Sequence, residues 1–133
     1  MKRSHLLLLA PLLLAGCVKQ STSYMIDGPS HAITVRAEQE YFWNDAVEVR
    51  MVATHLPDCQ RMMPMTTVPV GELDVELYSA GDNVYSLRIG KQVMRVETAS
   101  CTRLTEPTTA ELGQRLGAFK LNSDKKLVFE KAS

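Results

Sequence analysis

The sequence predicts a mainly β fold, a small antiparallel β-sandwich or open barrel with one short helix near the C-terminus. Two observations predict the strands. Apolar and polar residues alternate in successive segments between Ala32 and Thr98, which is the period of a half-buried strand. Short breaks rich in Gly, Asn and Asp separate several of these segments, and connections that short require antiparallel hairpins. A third observation predicts the helix: the period changes after Pro107.

In the first strand Ile33, Val35 and Ala37 alternate with Thr34, Arg36 and Glu38. Tyr41-Phe42-Trp43 precedes a turn at Asn44-Asp45. In the second, Val47, Val49, Met51 and Ala53 alternate with Glu48, Arg50 and Val52. The stretch from His55 to Pro69 carries three prolines and Cys59 and reads as a loop. Residues 70–99 then read as a three-stranded meander. Leu73, Val75 and Leu77 share one face of its first strand, Gly81-Asp82-Asn83 turns the chain, and Tyr85, Leu87 and Ile89 form the next. Gly90-Lys91 turns it again into Gln92–Thr98.

Past Pro107, Thr108-Thr109-Ala110-Glu111 fits a capping box, in which hydroxyl and carboxylate each satisfy a free amide. Leu112 and Leu116 lie one turn apart, and Gly113 and Gly117 end the expected helix. Phe119, Leu121, Leu127 and Phe129 flank Asn122-Ser123-Asp124-Lys125 as a last hairpin. The expected total is six or seven strands.

The chain opens on Met1-Lys2-Arg3 and continues into Leu6-Leu7-Leu8-Leu9-Ala10-Pro11-Leu12-Leu13-Leu14. A positive start followed by nine apolar residues has the form of a secretory leader. That run is about half the length a spanning helix needs, and Pro11 interrupts it. The leader ends Leu14-Ala15-Gly16-Cys17.

Those four residues resemble the lipobox of bacterial lipoproteins. The resemblance covers only the leader. It implies that the Cys17 thiol receives a diacylglycerol, that cleavage falls between Gly16 and Cys17, and that the new amine is acylated. In Gram-negative members an Asp after the Cys retains the protein in the inner membrane. Val18 stands there, so the resemblance implies the periplasmic face of the outer membrane. Each buried methylene contributes about 0.8 kcal/mol, so two or three chains hold firmly and the domain needs no membrane-binding surface of its own.

The expected organisation is therefore a signal at 1–16, a lipidated Cys and flexible tether at 17–30, and a single β-rich domain at 31–133. Asp27-Gly28-Pro29-Ser30 closes the tether with a turn. With 15 basic and 15 acidic side chains, the chain lacks the basic footprint of a nucleic-acid binder. Once Cys17 takes lipid, Cys59 and Cys101 remain. In an oxidising compartment they read as one disulfide, the alternative being a reduced pair that binds metal.

His55, Met62, Met63 and Met65 gather an imidazole and three thioethers around Cys59 and Pro64. Soft sulfur ligands select Cu(I), which makes this a candidate metal site, although Met also fills gaps under loops. Tyr41, Phe42 and Trp43 form a candidate patch for a protein or glycan partner, or cap one end of the core. His31 and His55 are the only histidines beyond the leader, and no nucleophile elbow or zinc-protease motif occurs. The expectation is a non-catalytic, cofactor-free envelope lipoprotein that binds a protein partner or supports envelope assembly. Copper binding is the alternative, and inhibition of a cell-wall hydrolase such as lysozyme a second.

Overall fold

The computed structural model describes residues 19–105 and 112–132. Ten strands form two antiparallel sheets among these residues. The first sheet runs in chain order: β1 (Lys19–Met25), β2 (His31–Gln39), β3 (Ala46–His55) and β4 (Cys59–Pro69). A 3-10 turn at Val70–Glu72 leads into the second sheet. This holds β5 (Asp74–Gly81), β6 (Val84–Ile89), β7 (Gln92–Glu97), β8 (Thr102–Leu104), β9 (Gln114–Leu121) and β10 (Leu127–Lys131). Its order is β10-β9-β5-β6-β7-β8.

The alternating pattern decides which face is buried, because successive side chains of a strand point to opposite sides. Ile33, Val35 and Ala37 of β2 pair with Ala53, Met51 and Val49 of β3, and all six are buried. In the second sheet Leu77 pairs with Leu87, Leu87 with Met94, and Val75 with Phe119. The two inner faces contribute to one buried cluster. Each fully buried Val, Leu, Ile, Phe or Met stabilises by about 1.5–3 kcal/mol relative to exposure, so this shared cluster holds the fold. The expected strands over 32–53, the meander and the last hairpin are all present.

Three expectations are corrected. The segment expected as a tether is a strand over its described length: Lys19–Met25 is β1, paired along its length with β2. Ser21-Thr22-Ser23 has linker composition, but on an edge strand with one solvated face such residues cost little. Ser23 and Thr34 share a hydrogen bond across the pair at 2.6 Å.

The expected loop from His55 to Pro69 is instead β4. Prolines cannot donate to a ladder, yet β4 lies at a sheet edge, where that is tolerated. Pro64 and Met65 also sit at a bulge: Val49 pairs with Thr66 and Arg50 with Pro64, leaving Met65 as the extra residue.

The short helix is not seen. Thr108–Glu111 lie outside the described residues, but Gln114–Leu121 is β9. Gly113 and Gly117 serve sheet packing rather than helix termination. At Gly113, with φ +97°, a Cβ would collide with the backbone of Ser79. At Gly117 it would strike the Glu130 carbonyl and the Phe129 ring. The 3-10 turn at 70–72 is the one helical element among the described residues.

Register fixes what shares an end of the molecule. Lys19 pairs with Glu38, so the start of β1 lies beside the β2–β3 turn at residues 40–45. The Val70 amide donates to the Asp45 carbonyl at 2.8 Å, bringing the start of the second sheet to the same end. Asp74 pairs with Lys120, and Leu121 with Leu127, which adds the 122–126 turn. The opposite end holds the turns at 26–30, 56–58 and 81–83 and the segment 98–101.

Candidate functional site

The β2–β3 turn is built by local polar contacts. The Gln39 side-chain amide donates to the Asn44 carbonyl. The Asn44 amide donates to the Tyr41 carbonyl at 3.2 Å, and the Ala46 amide to Asn44 Oδ1 at 3.0 Å. These contacts leave three consecutive aromatics outside. Tyr41 is 44% exposed, Phe42 66% and Trp43 70%, the last two being the most exposed large apolar side chains among the described residues. They are organised rather than splayed. Tyr41 stacks on Trp43 with ring centroids 4.8 Å apart, and Phe42 meets Trp43 edge-on at 5.0 Å. A hydrogen bond to the Glu40 carboxylate raises the Tyr41 phenol above its usual pKa.

The sequence offered two fates for this run, a partner patch or a cap on the core. All three rings are exposed and none belongs to the buried cluster. A single alternating strand could not expose all three; the turn beginning after Gln39 does.

At the opposite end Cys59 and Cys101 form the expected disulfide, with Cα atoms 6.0 Å apart. It joins β4 of the first sheet to the β7–β8 connection of the second. Beside it His31 and His55, partners in the β2–β3 ladder, stack with ring centroids 4.2 Å apart. The Thr98 hydroxyl donates to the Asn83 carbonyl at 3.2 Å. Its one proton being used, Thr98 accepts from His31 Nε2 at 2.9 Å, which sets the neutral tautomer. Burial and the neighbouring His55 lower the His31 pKa, while Asp27 and Glu97 oppose them. His55 Nδ1 reaches the Ala99 carbonyl at 3.3 Å. The sequence reading counted two histidines without pairing them. The signal was the hairpin register, which needed the turn at 40–45 to be placed.

The Met-rich segment divides its sulfurs between the two faces of the first sheet. Met62 and Met63 are neighbours on β4 and take opposite faces. Met62 is 49% exposed, with Arg36 Nη1 donating to its sulfur at 3.8 Å, whereas Met63 is buried in the core. Met65, at the bulge, is partly buried and also packs against the core. His55 is occupied by His31 and Ala99, and Cys59 by the disulfide. Among the described residues no group of three or more His, Cys, Asp or Glu side chains is arranged to hold a metal ion.

The outer face of the second sheet carries a polar group that the sequence reading missed. Glu76 accepts from Arg88 Nε at 2.7 Å and from Arg115 Nε at 3.2 Å, and Arg88 also donates to the Tyr78 hydroxyl. Burial alone would raise the Glu76 carboxyl, but the two guanidiniums outweigh it and hold the pKa below the usual value. A depression on the outer face of the first sheet, lined by Lys19, Ser21, Arg36, Glu38, Glu48 and Arg50, has a volume of about 100 Å³. Ligand pockets commonly reach about 300–1,000 Å³.

Cys17 and the lipobox lie outside the described residues. Comparison of the chain with protein-family models, curated proteins and solved structures finds no match.

Proposed function

We propose that the chain is a non-catalytic bacterial envelope lipoprotein, a disulfide-tied β-domain held at the periplasmic face of the outer membrane by lipid on Cys17. The observation that carries the reading is Leu14-Ala15-Gly16-Cys17 at the end of a positive, apolar leader. The disulfide supports it, because such bonds persist in oxidising compartments. Val18 after the Cys favours the outer membrane.

The domain works by contact with an envelope protein. Its outer sheet faces carry mixed charge with isolated apolar groups, such as Arg36, Glu48, Arg50 and Met62 on the first and Glu76, Arg88 and Arg115 on the second. Polar, mixed surfaces of this kind suit non-obligate association. A photo-crosslinking side chain placed in turn at Met62 and Arg88, in cells, is expected to give a discrete adduct from one of the two faces. Absence of any adduct from both faces would remove the partner-binding half of the proposal. Membrane fractionation of the unmodified chain tests the anchoring half separately.

A further inference from the structure

We propose that the Tyr41-Phe42-Trp43 turn is a second membrane contact, which enters the lipid interface beside the acylated Cys17 and fixes how the domain stands on the bilayer. The inference rests on the lipid-anchor reading and deepens it. Consecutive Cα atoms are about 3.8 Å apart, so Cys17 lies within about 8 Å of Lys19. Lys19 opposes Glu38, and the aromatic turn begins three residues beyond Glu38 on the same sheet end. An anchor this short cannot hold the domain clear of the bilayer, and the part nearest the anchor is the part with the exposed rings.

The chemistry of the turn suits that position. Trp and Tyr concentrate at membrane–water interfaces because each joins an apolar body to a polar tip. Here Phe42 and Trp43 are mostly exposed, and Tyr41 carries its hydroxyl beside them. The charged side chains at this end, Lys19, Lys91, Lys125 and Lys126 with Glu38, Glu40, Asp45, Glu72 and Asp124, leave no cationic excess. Attraction to anionic lipid is therefore not what seats the turn; burial of the rings is. The acyl chains supply the affinity, and the rings remove the freedom to swivel about it.

Trp43 is the only tryptophan of the chain, so its fluorescence reports on this turn alone. The lipidated full chain, purified in detergent, would be reconstituted into phosphatidylcholine vesicles with and without bromine on the acyl chains near the headgroups. The proposal expects a blue-shifted Trp43 emission, several-fold weaker quenching by aqueous iodide than in a soluble Cys17→Ser form, and strong quenching by the brominated lipid. All three should persist at high salt and without anionic lipid. Replacing Tyr41 and Phe42 together by Ser should reverse the shift while leaving the fold intact, as both side chains lie outside the core. Vesicle-bound protein whose Trp43 stays fully open to iodide would overturn the membrane contact and leave the anchor standing. Protein carrying no lipid would overturn both. Shielding of Trp43 only after an envelope protein extract is added would assign the turn to a protein partner and also overturn the proposal.

Discussion

Cys59 and Cys101 are bonded to each other from different sheets, 42 residues apart in sequence. The bond ties β4, an edge strand interrupted by prolines, to the second sheet beside the stacked histidines. In the chain-entropy model a loop of this length stabilises by about 4 kcal/mol. Cys59→Ser is therefore expected to lower the free energy of unfolding by up to about that amount, measured by urea denaturation. Membrane attachment should be unaffected. Thiol titration of the native domain should find neither cysteine free, and two free thiols would contradict the pairing.

The His31 site predicts a pH dependence. Its pKa is lowered in the folded state, chiefly by burial and then by His55. The unfolded chain consequently binds the proton first. Stability is fully present above the unfolded value of about 6.5 and declines as pH falls from there through the folded pKa. Urea titrations at pH 8 and pH 5 should show the loss, and His31→Gln should flatten it. A wild-type profile that is level over this range would contradict the assignment. Acid loss from Glu76 and Glu97, whose pKa values are also lowered, belongs to a separate window below 4.5.

Met62 and Met63 are adjacent residues with opposite roles. Met63 is buried, so Met63→Ala should destabilise by roughly 2–5 kcal/mol through lost burial and a residual cavity. Met62 is exposed, and Met62→Ala should change stability by less than about 0.5 kcal/mol. Paired thermal denaturation curves separate the two. Similar costs at both positions would mean that the face assignment of β4 is wrong.

Gly117 predicts a position with no tolerance for a side chain. A Cβ there meets the Glu130 carbonyl and the Phe129 ring, so β9 and β10 must separate to admit it. Gly117→Ala should cost about 1–3 kcal/mol by overpacking, although an ordinary strand glycine would gain from the same change. Increased stability on Gly117→Ala would show that the β9–β10 hairpin has more room than the structure gives it.

Strands with a clean two-residue period were legible because one face of each is buried in the shared core, as at Ile33, Val35 and Ala37. Strands that escaped are those whose local chemistry argues otherwise. β4 carries Pro64 and Pro69, which its edge position and the bulge beside Pro64 make acceptable. β1 reads as a linker because Ser21, Thr22 and Ser23 occupy both of its faces at mid-strand and mask the two-residue period. Leu112 and Leu116 had helical spacing, and the decisive glycines, Gly113 and Gly117, signal tight sheet contacts as readily as helix ends. The disulfide followed from counting cysteines, which requires no geometry. The aromatic turn was visible as a run of rings, but its nearness to the start of β1 depends on the Lys19–Glu38 register. The His31–His55 stack likewise depends on pairing between strands that no local pattern displays.

Acylation of residue 17 is the claim on which location and orientation both depend. Intact-mass spectrometry of the protein extracted from its native membranes measures it directly. The account predicts a chain that begins at Cys17 and carries a diacylglycerol, with a further fatty acid on its amine. A chain that keeps residues 1–16, or one that begins elsewhere and has no lipid, would contradict it.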